Sequence, residues 1–336
     1  MWQAGPVAER LMILDTPTLY YRAYFGLPES ITAPDGMPVN AVRGTVDFVS
    51  ALVTAYRPDR LIACFDADWR PAFRVAAIPS YKAHRVLEVA ADGGAGAGPS
   101  AAGAENSAAD SATPDTEIVP DTLSPQVPVL EAVLDAFGIA RGWAEEYEAD
   151  DAIAAYAAVH DGPVDVVTGD RDMYQLVDDA RAVRVLNIAR GVSKLEVVDD
   201  GVLIAKYGIP GRGYADFATL RGDPSDGLPG VAGIGEKSAA TLVSEYGSLS
   251  GILAALDDPA SALKPAARRR LDAAREYLAV APDVVRVHDD APTVPVDSKL
   301  PGTAADPKEL DRLAERYGLV SPIRRLQRSL AAVATA

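Results

Sequence analysis

Three acids fall within four residues at Tyr147-Glu148-Ala149-Asp150-Asp151, and Ile153, Tyr156, Ala157 and Val159 follow at helical spacing. The acids therefore occupy the first turn of a helix, where carboxylates favour the helix dipole. Dipole stabilisation explains part of that charge, but three neighbouring acids repel one another. Glu148 and Asp151, at i and i+3, share a helix face, and if that face is partly buried, only a cation makes the crowding tolerable. Other acids stand where they could share it. Asp15 and Asp66 each close a short apolar run, Asp170 and Asp172 follow Val164–Thr168 through Gly169, and Asp223 and Asp226 lie three apart in the turn-rich stretch from Leu220 to Gly230. Scattered surface charge would not favour strand ends and special turns in this way.

The elements that position these acids follow from periodicity. Leu11-Met12-Ile13-Leu14 reads as a buried parallel strand ending at Asp15, and Pro17 suits the first turn of a helix through Tyr21-Arg22. A helix is predicted over 40–56, and Leu61–Phe65 is a strand leading into Asp66. Pro125–Phe137 reads as a helix, Ile139–Trp143 and Val164–Thr168 as strands, and Arg181–Ile188 and Lys194–Val198 as edge strands. Strand, acid, helix, strand, acid is the rhythm of a doubly wound α/β sheet, whose sites lie beyond the carboxyl ends of the strands. Past residue 203 the strand signal fades, and helices are predicted at Ser248–Leu256, Ala266–Leu278 and within 307–330. Between them, Leu228-Pro229-Gly230-Val231-Ala232-Gly233-Ile234-Gly235-Glu236-Lys237 matches a helix-hairpin-helix, whose glycines expose backbone N–H groups at a helix N-terminus in a form suited to phosphate.

Composition bounds the partners. The 336 residues suffice for about two domains. Cys64 is alone and there are three histidines, which excludes a disulfide framework and argues against zinc. No apolar run reaches the roughly 18 residues of a membrane span, and Met1–Arg10 lacks the pattern of a signal peptide, so a cytoplasmic protein is expected. The net charge of −16 is concentrated: residues 86–140 carry nine acids and no Lys or Arg, and the nine candidate acids contribute as much again, leaving +2 for the remainder. An acidic pI therefore does not exclude a polyanion. Residues 70–85, with Arg70, Arg74, Lys82 and Arg85 and no acid, are the most basic stretch of the first half, read either as a solvated face or as a phosphate contact. Residues 89–117, rich in Gly, Ala, Ser, Asp and Pro, cannot offset their own ordering entropy and are expected to be disordered.

Taken in order, Leu14-Asp15 with Tyr21-Arg22, Phe65-Asp66, Phe73-Arg74, Tyr81-Lys82, Tyr147–Asp151, Thr168–Asp172 and Gly222–Asp226 resemble the 5′-nuclease family. This family comprises the N-terminal nuclease of bacterial DNA polymerase I, the phage 5′-exonucleases and the flap endonucleases; the likeness is greatest to bacterial stand-alone 5′–3′ exonucleases and covers most of residues 11–290. Thr16-Pro17 stands where the family usually has glycine, and Gly227 where it often has asparagine. The low-complexity insertion falls at the family's arch, and no polymerase domain is expected to follow.

The resemblance implies a PIN-like three-layer nuclease domain at 1–204, a helix-hairpin-helix domain at 205–290 and a helical extension at 291–336. It implies two divalent ions, Mg²⁺ or Mn²⁺, with Asp15, Asp66, Glu148, Asp150 and Asp151 about the first, Asp172, Asp223 and Asp226 about the second, and Asp170 between them. Arg74 and Lys82 would clamp the scissile phosphate, with Tyr21 stacking on a terminal base beside Arg22. Arg70, Arg85, Gly233, Ile234, Gly235 and Lys237 would contact DNA, and K⁺ at the hairpin is left open. The implied function is 5′–3′ exonuclease and 5′-flap endonuclease action on DNA, by a monomer working beside a polymerase supplied in trans. An RNA-cleaving relative would share the acids but lack the hairpin, and a non-catalytic DNA-binding protein would be expected to have lost some of them. A phosphatase of the haloacid-dehalogenase type needs an acid at position 17, which is proline.

Overall fold

The computed structural model describes residues 8–86 and 116–335. The segment expected to be disordered, apart from Thr116 and Glu117, lies outside the described residues.

Strand β1 (Leu11–Asp15) is wholly buried and forms the middle of the sheet. Helix α1 (Thr16–Gly26) starts at once, because the Asp15 carboxylate accepts from Thr18 N at 3.1 Å and Pro17 fits the first turn. Helix α2 (Asn40–Tyr56) leads to β2 (Arg60–Cys64), and a short helix α3 (Ala72–Ala77) lies within the basic stretch. Helix α4 (Gln126–Phe137), β3 (Ala140–Gly142), α5 (Ala149–Val159) and β4 (Val164–Thr168) follow, then β5 (Val183–Asn187) and β6 (Glu196–Val198). The sheet runs β3-β2-β1-β4-β5-β6, parallel except for the antiparallel β5–β6 pair. Strand β5 is therefore interior, contrary to the expectation for 181–188, and of these two strands only β6 is an edge. Strand order reverses between β1 and β4, and Asp15 and Thr168 lie at that switch point, where doubly wound sheets open a crevice.

Alternation along β1 sends Leu11 and Ile13 to one core, Met12 and Leu14 to the other. The first core takes in α5 through Ile153 and Tyr156, then continues without a break through Tyr174, Tyr214 and Phe217 into the helical region. That region comprises α6 (Asp200–Tyr207), α7 (Tyr214–Arg221), α8 (Glu236–Tyr246), α9 (Leu249–Asp257), α10 (Pro265–Ala273) and α11 (Arg275–Val285). Residue 204, the expected domain boundary, falls inside α6. The single helix expected over 266–278 is two, separated at Ala274, and the 307–330 region is α12 (Pro307–Arg316) and α13 (Val320–Ala334), separated at Gly318, whose φ is +66°. Those last two helices return to the first domain and cover the second core, with Ser329 Oγ 2.9 Å from Ser50 Oγ and Arg325 paired with Asp47 at 2.7 Å. Among the described residues no single helix is long and apolar enough to cross a membrane.

Candidate active site

Five of the proposed ligands, Asp15, Asp66, Glu148, Asp150 and Asp170, line one cavity of about 550 Å³ at the switch point, together with Tyr21, Arg22, Lys82 and Arg85. Each arrives by its own local logic. Asp15 ends β1 and caps α1; its other oxygen accepts from Thr168 Oγ1 at 2.5 Å. Asp66 lies just past β2 and accepts from Ala149 N at 2.8 Å. Glu148 caps α5, and Asp150 is in its first turn. Asp170 N donates to Thr168 Oγ1 at 2.9 Å, so one buried hydroxyl joins the ends of β1 and β4.

Asp172 and Asp226 lie behind this wall, lining a narrow cleft with the opposite side of Glu148 and Asp150. The Asp223 carboxylate caps the turn at 224–226, accepting from Ser225 N at 2.9 Å and Ser225 Oγ at 2.5 Å. Gly227 follows with φ +71°, and a Cβ there would lie 2.0 Å from Ser80 O. The asparagine often found at this position in the family has no room here. Thr16 is buried and does not line the cavity, so it does not crowd Asp15.

The acids are electrostatically loaded. Burial, only partly offset by hydrogen bonds from Thr168 and Thr18, raises the Asp15 carboxyl. Burial raises Asp150 well above the usual range, and Asp15 and Asp170 add repulsion. Asp172 is raised well above that range by burial and then by Asp170, Asp226 and Asp223. Asp66 is exposed to the cavity yet hemmed in by protein, and this desolvation carries it up to about 7, against the hydrogen bond from Ala149 and the nearby Lys82 charge. Among the described residues no three such side chains close on a single point as a formed metal centre would. The donor set is nevertheless all oxygen, and so many raised carboxylates must take up either protons or a cation, which fits hard divalent ions.

Two expectations are corrected by packing. Asp151 does not face the cavity: its oxygens take Arg74 Nη1 and Nη2 at 2.7 Å each, Glu148 N at 3.2 Å and His288 N at 2.9 Å. Arg74 is equally enclosed, with Nε donating to Val284 O at 3.0 Å, so it is a buried strut rather than an open phosphate clamp. Lys82 does reach the cavity, in a left-handed backbone conformation at φ 48°, with its ammonium hydrogen-bonded to Glu148. Beside it, the Tyr81 hydroxyl donates to Glu148 Oε1 at 2.7 Å.

The basic residues also divide. Arg85 stands on the cavity wall, paired with Asp226 at 2.9 Å. The Arg70 guanidinium binds the carbonyls of Tyr81 and Pro79 at 2.7 and 3.1 Å and stiffens the turn before Lys82, instead of lining the cavity. In the hairpin, Ile234 is a core residue whose N–H goes to Val231 O at 2.9 Å, so neither its side chain nor its N–H is free for a phosphate. Gly233, Gly235 and Lys237 are exposed, and no side chain caps α8 at Gly235. Arg270, overlooked in the sequence, lies against Gly233, where an added Cβ would meet its Nε at 2.9 Å. Its only sequence signal was the basic run Arg268-Arg269-Arg270, in which Arg268 instead holds carbonyls at the end of α9. Thr168 opens the Thr168–Asp172 motif, but a hydroxyl two residues before an acid gives no local sign that it joins the ends of two strands.

Fold and site together define an α/β nuclease with a carboxylate-lined crevice and a helical hairpin beside it. Residues 10–208 match the family described as 5′-3′ exonuclease, N-terminal resolvase-like domain, and residues 209–308 match 5′-3′ exonuclease, C-terminal SAM fold. The chain is 57% identical over 321 residues to a 5′-3′ exonuclease of Streptomyces coelicolor, covering 96% of this chain and 100% of that one. It is 47% identical over 329 residues to a 5′-3′ exonuclease of Mycobacterium tuberculosis, covering 95% and 97%. The chain belongs to the 5′-3′ exonuclease family. Its fold is shared with the T5 D15 protein co-crystallised with metal ions (TM-score 0.58, 18% identity, 97% and 99% covered) and with the catalytic core of Rad2 in complex with DNA substrate (TM-score 0.53, 15% identity, 97% and 92% covered).

Proposed function

We propose that this 5′-3′ exonuclease acts on DNA with two divalent ions, Mg²⁺ or Mn²⁺, and also cuts 5′ flaps. The observation that carries this reading is the single cavity lined by Asp15, Asp66, Glu148, Asp150 and Asp170, with Asp172 and Asp226 reaching the same two central acids from behind. Asp223 completes the second group from its turn. Bound divalent ions would supply Lewis-acid charge and an activated water for in-line attack on the phosphodiester. The chain's own residues do the rest. Thr168 orients Asp15, Tyr81 and Lys82 orient Glu148, and the Lys82 ammonium offers positive charge to the scissile phosphate at the cavity wall. Tyr21 offers a face to the terminal base, with Arg22 beside it.

Gly233, Gly235, Lys237 and Arg270 would hold duplex phosphates, a contact blind to base sequence. Whether K⁺ also binds there is tested by comparing duplex affinity in K⁺ and Na⁺ at equal ionic strength. The enzyme would act as a cytoplasmic monomer on ends left by a polymerase in trans. The decisive experiment compares cleavage of 5′-flap, nicked and single-stranded DNA, and their RNA-strand counterparts, with and without Mg²⁺, in the wild type and Asp170→Ala. Metal-dependent DNA cleavage that disappears in the variant while DNA binding persists is expected. Near-normal turnover in a folded Asp170→Ala would place the metals elsewhere, and preference for RNA strands would displace DNA as the substrate.

A further inference from the structure

The aromatic face of α1 continues past Tyr21 to the mouth of the cavity. Tyr21 and Phe25, one helical turn apart, hold their rings nearly parallel, at 13° with centroids 6.4 Å apart. Phe25 is braced edge-on by buried Tyr24, at 5.1 Å, yet it is 73% exposed. Both rings line the same cavity as Asp15, Asp66 and Asp170. At 1.5 Å of rise per residue, Tyr21 lies about 9 Å and Phe25 about 15 Å along the helix from the capping acid Asp15. Arg22, between them in sequence, lines this cavity too, and its Nε is shielded from solvent without a hydrogen-bond partner among the described residues.

An exposed ring held parallel to a second ring, at the rim of a nuclease cavity, matches the π-face of an unpaired base, which every nucleotide offers whatever its sequence. We propose that Phe25 is a base-stacking residue for a single-stranded 5′ arm, holding the nucleotide one step further from the cut than the base on Tyr21. The arm's phosphates pass Arg22. This rests on the flap-DNA reading above and adds to it a determinant of preference: ends with an unpaired 5′ arm gain a contact that a nick without an arm lacks.

The test uses the full-length chain in EDTA, so that binding is read without cleavage, with flap and nicked duplexes carrying 2-aminopurine at successive arm positions. Wild type should quench the fluorophore at an arm position, and Phe25→Ala should abolish that quench and weaken flap affinity about 5- to 150-fold relative to the nick, the range for losing one base–aromatic stack. Phe25→Trp should retain both effects, and Phe25→Leu should behave like Ala. An unchanged flap-to-nick ratio in Phe25→Ala, with an unchanged melting temperature, overturns the proposal. Wild-type affinity in Phe25→Leu also overturns it, because a generic apolar contact would then suffice. Failure of the underlying reading is seen separately, as wild type that does not cut flap DNA when Mg²⁺ is restored.

Discussion

Arg74 grips Asp151 with two guanidinium nitrogens, each at 2.7 Å, where neither side chain is more than 3% exposed. The same guanidinium binds Val284 O in α11, so a single fork joins the first turn of α5 to the helical region. Lysine cannot reproduce a two-pronged contact, and removing one partner strands a buried charge at a cost of about 3–5 kcal/mol. Arg74→Ala should therefore lower stability by that order in urea unfolding, and Arg74→Lys should recover little of it. Wild-type stability combined with slow cleavage in either variant would instead mean that Arg74 acts on the phosphate directly.

Thr168 is the hinge pin of the acid cavity, donating to Asp15 and accepting from Asp170 N. Thr168→Val keeps the shape but leaves the buried Asp15 oxygen and the Asp170 N–H without their partner, which costs about 1–3 kcal/mol. It should also raise the Mg²⁺ concentration needed for half-maximal cleavage, and Thr168→Ser should restore it. Melting temperature and a Mg²⁺ titration on the same preparation separate these effects. Loss of stability with an unchanged Mg²⁺ requirement would make the hydroxyl purely structural.

The raised carboxyls make stability depend on pH with a definite sign. Asp15, Asp150 and Asp172 are raised above the unfolded value of 3.8, and Asp66 is raised to about 7. In the folded state these groups bind more protons than in the unfolded one, so their contribution is present below the unfolded value and is lost as pH rises through their raised folded values, about 7 for Asp66. Metal-free protein should lose melting temperature from them over that range, and Mg²⁺ should restore it most at the upper end. A Mg²⁺ effect on stability that does not grow with pH would count against carboxylate ligation.

The hairpin glycines should respond differently to the same substitution. Around Gly235 an added Cβ meets nothing within 4 Å, so Gly235→Val should fold normally and weaken duplex binding for all sequences alike. The remaining contacts should keep the salt dependence steep. At Gly233, φ is +79° and Arg270 stands in the way, so Gly233→Val should lose stability as well. Unchanged duplex affinity in a folded Gly235→Val would reduce the hairpin to a helix-packing turn.

Sequence alone determined the α/β rhythm, the family and the placement of most acids. A short all-apolar run ending in Asp is legible locally, as is an acidic first turn, because strand burial and helix capping act over a few residues. Five of the nine acids do line one cavity. Sequence could not show which charged side chains neutralise each other across long separations. Asp151 and Arg74 are 77 residues apart and find each other in the core, which removes both from the roles their motifs implied. Arg70 is taken up by nearby carbonyls, Ile234 by the core, and Arg268 and Arg270 differ although two residues apart, because one turns back to close α9 and the other lies against Gly233. The reversal of strand order between β1 and β4 was likewise a tertiary outcome. It brings Asp15 within reach of a hydroxyl 153 residues away and makes one crevice of five acids drawn from four separate stretches of chain.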